Sequence, residues 1–402
     1  MRIVLADWGN GGHHPTWFQH FVLALEELGV DVLALCPYPA EAEAGANEAR
    51  PKAEIANRPR GKTEFARVKV ASRRFGSPWP RRLSLIDWAI RHFRGVESQA
   101  HAWSKRSGKK VDAIFYACMY DFDFQRVQAA QPFLRLPWIG LYLHVAGYRQ
   151  PRRHPEWPPR PEKLFSTGLC KGIFVLDEGI VDQVSKAIGK PVVALPELND
   201  GRMPVNDQQR SLGDRLAEFA AGRPVVGLFG MLKESKGVIP FLEAARKSVG
   251  KPVCFALAGE LYWPGPEKNW ICETLAECPN VWNHLLRIPT EIQLNYLLSK
   301  CEAIYAAYLD FPHSSGILSK AAALKKPVIV SEGYLMAERV RHFKLGEIIS
   351  EGKVPALLDA INAITKDPAA WQAANQPQWR EYCEAQSFTR LKSSFQKLLA
   401  VL

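Results

Sequence analysis

Short apolar runs alternate with amphipathic stretches along most of the chain. Arg2–Ala6 reads as a strand. Pro15–Leu28 follows with Phe18, Phe21, Val22 and Leu25 at helical spacing, and Gly29 ends it before a second strand, Val30–Leu35. The alternation resumes with strands at Val111–Tyr116, Trp138–His144, Leu169–Leu176 and Lys190–Leu195, the last two flanking a helix from Glu178 to Ile188. A second series begins with strand Pro224–Phe229, helix Val238–Val249 and strand Val253–Ala258. It continues with a weaker strand at Val281–His284, helix Glu291–Cys301 and strand Ala303–Ala307. Ser314–Val330 reads as a small-residue turn, a helix ended by Pro327 and a β-branched strand; a helix at Leu335–Phe343 follows. Beyond Pro355 the pattern is helical, with Trp371 and Trp379 expected to pack inward. Strand and helix in this order predict an α/β chain of two Rossmann-like, doubly wound parallel sheets facing a cleft.

The expected boundaries are an N-terminal domain at 1–200, a linker with one short helix at 201–222, a second domain at 223–383, and a C-terminal helix at 384–402 able to pack back on the first. Pro37–Lys110 is the least regular part. Its Leu85–Gly95 mixes Trp88, Ile90 and Phe93 with Arg91 and Arg94, which suits a membrane-surface helix or a core helix with one basic side. Val145–Pro161 is rich in Pro and Arg and is expected as a surface or lid loop.

Composition sharpens this picture at one place. The formal charge is +11, and Arg50–Lys110 holds 17 Lys/Arg against four Asp/Glu, a local +13. Such a surface attracts phosphate-rich partners. An anionic membrane surface or a nucleotide diphosphate fits this charge, and a merely solvated basic face is the alternative. No helix-turn-helix, ribonucleoprotein or zinc-finger pattern accompanies the charge, so nucleic acid is not expected. No apolar run reaches the ~18–20 residues needed to span a bilayer, and the N-terminus does not read as a signal peptide. The eight cysteines are scattered without a CxxC pair and read as reduced thiols of a cytoplasmic protein, not as a zinc site.

Two places carry candidate chemistry. In the first domain, Gly11 and Gly12 let a ligand approach the backbone at a helix N-terminus, and His13 or His14 is placed to hydrogen-bond it or to serve the loop alone. His144 ends a central strand, where ligands of open α/β sheets collect. In the second domain, Ser314, Ser315 and Gly316 open a helix whose free N–H groups favour an anion. Lys236 starts another helix, an unfavourable position for a cation unless an anion binds there.

From Phe229 onward the order of residues resembles GT-B glycosyltransferases similar to glycosyltransferase family 4. FGMLKESKGVIPFLEA (Phe229–Ala244) is similar to that family's glycine–arginine–leucine–x3–lysine–glycine element, with Gly230, Leu232, Lys236 and Gly237 matching. Ser314–Val330 resembles its later helix ending in small-x-Pro-Val-Ile, and Glu338 falls where the family carries a glutamate. Gly11, Gly12 and His144 also fit. Met231 stands in place of the family's arginine, and Pro312 and Lys320 in place of its E-x7-E glutamates. The resemblance implies a donor-binding second domain, an acceptor-binding first domain, and transfer with retention from a nucleotide-sugar to a glycan or lipid-linked acceptor. The setting it implies is cell-surface polysaccharide or glycolipid synthesis at the inner membrane face. Lys236 is then the cation on the leaving diphosphate, assisted by Lys233, with the Ser314–Gly316 turn supplying N–H donors. Lys320 either reaches the nucleotide or is simply exposed, and His144 positions sugar or acceptor. A fixed cation and a helix N-terminus stabilise a diphosphate without a metal, so neither metal nor cofactor is expected; the nucleotide-sugar is substrate. The alternative is a catalytically degenerate nucleotide-binding or scaffold protein.

Overall fold

Runs such as RIVLA, AIFYACM and VVGLF are buried along their whole length. That pattern belongs to parallel strands covered on both faces, and every strand pairing in the computed structural model is parallel. The structure describes residues 1–9, 14–49, 60–69, 81–119, 134–143, 146–149, 165, 167–198 and 201–402. The chain forms two units: Met1–Gln150 with Pro155–Pro196 and Phe388–Leu402, and Pro151–His154 with Glu197–Ser387.

The first unit runs β1 (Arg2–Ala6), α1 (His14–Glu27), β2 (Asp31–Cys36), α2 (Pro39–Ala49), β3 (Thr63–Arg67) and α3 (Arg81–Ser107). It goes on through β4 (Ala113–Met119), β5 (Trp138–Tyr142), the short α4 (Ala146–Arg149), β6 (Cys170–Val175), α5 (Val181–Ile188) and β7 (Val192–Ala194). Its seven strands lie in the order β3-β2-β1-β4-β5-β6-β7. The chain starts in the middle of the sheet, winds outward one way, and returns to wind the other. That reversal between β1 and β4 is where ligands bind in doubly wound sheets.

The second unit repeats the plan. It contains α6 (Asp207–Ala220), β8 (Val225–Phe229), α7 (Val238–Lys247), β9 (Cys254–Ala258), α8 (Glu267–Glu277), β10 (Val281–His284), α9 (Glu291–Ser299) and β11 (Ala303–Ala306). Then come α10 (Gly316–Ala323), β12 (Val328–Ser331), α11 (Leu335–Phe343), β13 (Gly346–Ile349), α12 (Val354–Thr365), α13 (Pro368–Asn375) and α14 (Trp379–Ala385). Its strand order is β10-β9-β8-β11-β12-β13, with the reversal between β8 and β11. Trp371 and Trp379 are buried in its core.

Several boundaries differ from those read in the sequence. The stretch 201–222 lies within the second unit, because α6 is a full 14-residue helix. Asn206 caps it by accepting from the Gln209 N–H, and Leu212, Leu216 and Ala220 enter the core. The amphipathic helix read at Leu85–Gly95 extends over the 27 residues of α3. Helices α2 and α8 and strands β3 and β13 were not legible; β3 is a sheet edge with no fully buried residue.

The last helix, α15 (Phe388–Leu399), belongs to the first unit. Its Phe395 ring lies 5.5, 5.6 and 5.2 Å from the rings of Phe21, Phe115 and Phe174. Ser394 donates to the Ala194 carbonyl at 2.8 Å, and Lys392 pairs with Glu27 at 2.7 Å. Helix α15 therefore covers one face of the first sheet through an aromatic cluster. Phe395→Ala is expected to destabilise this unit by roughly 3–5 kcal/mol, seen as a lower urea midpoint for its unfolding transition.

Candidate functional site

In the second unit, the loop after β8 meets the loop after β11 at the strand-order reversal. Gly230 leaves β8 with φ 105°, and Gly259 leaves β9 with φ 142°. A Cβ on Gly259 would lie 1.6 Å from the Gly230 carbonyl oxygen, so the two backbones meet because one residue has no side chain. Leu232 N–H then donates to Glu260 O at 2.9 Å, and Tyr262 N–H to Leu232 O at 2.8 Å. Met231 is left exposed.

The turn Glu234–Lys236 and Gly237 are held from the other side. Tyr305, buried on β11, shares its hydroxyl proton between Gly237 O at 3.1 Å and Ala307 O at 3.0 Å. Leu309 N–H donates to Ser235 O at 2.9 Å. Gly237 has φ 70°, and a Cβ there would meet the Tyr305 hydroxyl at 2.4 Å. This packing aims Lys236 at the aromatic loop after β11. Its Nζ lies 3.7 Å from the Tyr308 ring centroid and 5.2 Å from that of Phe311. Lys233 is half-buried. Its pKa is lowered from the ordinary lysine value, first by desolvation and then by repulsion from Lys236. Among the described residues neither lysine has an ion-pair partner. Two cations are thus held side by side where a carboxylate would be expected to neutralise them.

The aromatic loop is itself latched. Tyr334 donates its hydroxyl proton to Asp310 at 2.6 Å, and Asp310 N–H donates to Glu351 at 2.7 Å. Tyr308 and Phe311 escaped the reading from sequence; the signal was aromatic residues directly beyond a buried strand.

The remaining candidates are placed as follows. Gly316 opens α10, and Ser315 precedes it in extended conformation without a side-chain cap. An added Cβ at Gly316 would sit 3.8 Å from Glu197 Oε1. This helix N-terminus therefore already neighbours a buried carboxylate, which pairs with Arg339 at 3.4 Å. Ser314 lies half-buried in the preceding loop. Lys320 is not simply exposed: its Nζ pairs with Glu291 on α9 at 2.5 Å, and its side chain is 12% exposed. Glu338 is exposed in the first turn of α11, beyond the end of β12. Pro312 is buried.

In the first unit, Gly11, Gly12, His13 and His144 lie outside the described residues. So does Asp121–Phe122–Asp123, an Asp-x-Asp run. His14 begins α1 and is buried. Its Nδ1 lies 2.9 Å from both Asp7 carboxylate oxygens, and Asp7 also accepts from the Gly9 N–H at 2.8 Å.

Folding lowers the Lys233 pKa, so the unfolded chain holds this proton more tightly. Stability contributed by this residue therefore rises with pH between its folded-state value and the ordinary lysine value, and its cost is fully present below that interval. Lys233→Met is expected to stabilise the ligand-free protein most at neutral pH. The difference should shrink in alkaline solution, as measured by paired urea unfolding curves.

No protein-family model and no curated protein matches the chain. Solved structures do. HepE of Anabaena, in complex with UDP and glucose, superimposes with a TM-score of 0.68 at 13% identity, covering 100% of both chains. Sucrose-phosphate synthase from Thermosynechococcus elongatus gives 0.66 at 17% identity, over 99% of this chain and 98% of that one. WaaG, a glycosyltransferase involved in lipopolysaccharide biosynthesis, gives 0.60 at 13% identity, over 99% and 98%. With its two parallel sheets of reversed strand order, this chain has the GT-B fold of those glycosyltransferases.

Proposed function

We propose that the protein is a glycosyltransferase that transfers a sugar from a nucleotide-sugar donor. The observation that carries this reading is the pair Lys233 and Lys236, set at the β8–β11 reversal with no ion-pair partner among the described residues. Two lysines so placed bind a diphosphate and stabilise the charge that develops when it leaves. Lys236 is the principal cation, oriented by Tyr308 and Phe311; Lys233, already costly to keep charged, gains most from an anion. The Ser314–Gly316 turn supplies N–H groups on the next loop. A UDP-sugar is the first donor to test, since HepE is solved with UDP and with UDP-glucose.

The finer reading is transfer with retention and without a metal at the diphosphate. The acceptor is a glycan or lipid-linked glycan, in cell-surface polysaccharide or glycolipid synthesis. In this reading Glu338 serves the donor, Gly11 and Gly12 admit the acceptor or the donor's diphosphate to the backbone, and His13, His14 or His144 hydrogen-bonds sugar or acceptor. Among the described residues no helix is long and apolar enough to cross a membrane. Arg94, Lys105, Lys109 and Lys110 carry charge for docking at an anionic cytoplasmic surface.

A second reading has its own support. At the two E-x7-E positions stand the buried Pro312 and the ion-paired Lys320, which favour a nucleotide-binding protein without transfer.

Calorimetric titration with UDP, GDP and ADP, followed by transfer assays with the matching sugars, separates these readings. Lys236→Ala should weaken binding of the preferred nucleotide by roughly 10- to 150-fold, equivalent to about 1.5–3 kcal/mol, and lower transfer. Unchanged binding would remove Lys236 from the site. Nucleotide binding without transfer to any acceptor would favour the second reading. Vesicles containing phosphatidylserine should retain the protein at low salt and release it at high salt, whereas neutral vesicles should not.

A further inference from the structure

The reversal point of the first sheet holds a buried cluster that the lysine donor site of the second unit does not use. Asp7 follows the last residue of β1, His14 is the first residue of α1, and Cys118 lies near the end of β4. One carboxylate oxygen, one imidazole nitrogen and the thiol sulfur all lie within 4.8 Å of one another, and all three residues are buried. Asp7 is 2% exposed, and among the described residues no lysine or arginine pairs with it. Its described side-chain partners are the Gly9 N–H and His14. A carboxylate so deeply buried calls for a compensating positive charge, which a proton on His14 or a cation held by the same imidazole would supply.

We propose that Asp7, His14 and Cys118 bind a divalent metal ion of the zinc class. The donor set of one oxygen, one nitrogen and one sulfur suits a borderline-soft ion and disfavours magnesium or calcium, which take oxygen ligands. Metal–ligand bonds of about 2.0–2.3 Å place tetrahedral donor atoms roughly 3.3–3.8 Å apart. The cluster reaches that spacing if the Asp7–His14 contact opens by a few tenths of an ångström and the thiol moves inward by up to about 1 Å. On binding, the Cys118 S–H bond gives its proton to solvent and the thiolate bonds the metal; no electron changes hands. Three protein ligands leave the fourth position to water. The ion ties β1, β4 and α1 together at the C-terminal edge of the first sheet. The lysine pair belongs to the second unit, so this site is independent of the donor assignment.

Cobalt(II) titration of the full, reduced chain tests the proposal. One equivalent should bind and give a near-ultraviolet thiolate-to-cobalt charge-transfer band. Zinc should bleach that band, and both ions should raise the melting temperature. Cys118→Ser should abolish the band. It should also weaken metal binding by at least about 10- to 100-fold, the range that loss of an outer-shell partner alone costs. Absence of the band in the parent chain, or its persistence in Cys118→Ser, would overturn the proposal. Should Cys118→Ser fail to fold, His14→Gln serves instead: a shifted visible spectrum and weaker binding support the site, and an unchanged spectrum overturns it. UDP binding, measured on the same samples, reports separately on the lysine pair.

Discussion

The buried hydroxyl of Tyr305 joins the two halves of the second sheet where its strand order reverses. Shared between the carbonyls of Gly237 and Ala307, it fixes the turn after β8 against the segment that leaves β11. A hydroxyl in an apolar core must find such partners or incur a desolvation cost. Here they lie on the two loops that a ligand at the reversal would touch. Gly237 makes the arrangement possible, since any side chain would occupy the hydroxyl's position. The placement of Lys236 over Tyr308 and Phe311 follows from this packing.

The electrostatics of that edge are unbalanced by construction. Aromatic faces hold Lys236 in place without cancelling its charge, unlike a carboxylate, and Lys233 sits close enough to be repelled by it. The charge that is neutralised lies elsewhere: Lys320 by Glu291, and Glu197 by Arg339. The Glu197–Arg339 pair is enclosed, and removing either partner would leave a buried charge alone, whereas Glu291 beside Lys320 stays one-third exposed. Among the described residues the lysine pair has no such partner.

The first unit shows the same division between scaffold and edge. Phe21, Phe115, Phe174 and Phe395 form one aromatic cluster, so a helix at the far end of the chain becomes part of the first core. At the C-terminal edge of this sheet, Asp7 is satisfied by His14 and a loop N–H instead of a fixed cation. Asp7 and His14 can meet there because strand ends free their side chains from the continuous apolar layers above and below.

Burial on both faces forces continuous apolar runs, so β1, β4, β8, β9 and β12 could be read directly from the amino-acid pattern. The same reading marked Gly230, Lys236 and Gly237, because a glycine-bounded turn between strand and helix is a local feature. Strand β3 was hidden because an edge strand of alternating polarity has neither an apolar run nor a buried face. Helix α6 was read only as a short helix in a linker because its 14 residues are mostly polar and only one stripe is buried. The partners that decide chemistry were beyond local reading altogether. Glu291 precedes Lys320 by 29 residues, and Cys118 follows Asp7 by 111. The sequence by itself determined two parallel sheets and a lysine-bearing turn, since periodicity and glycine positions act within a few residues. Only the tertiary structure decided which charges are paired and which are left open, because an ion pair depends on distances through space that no spacing along the chain encodes.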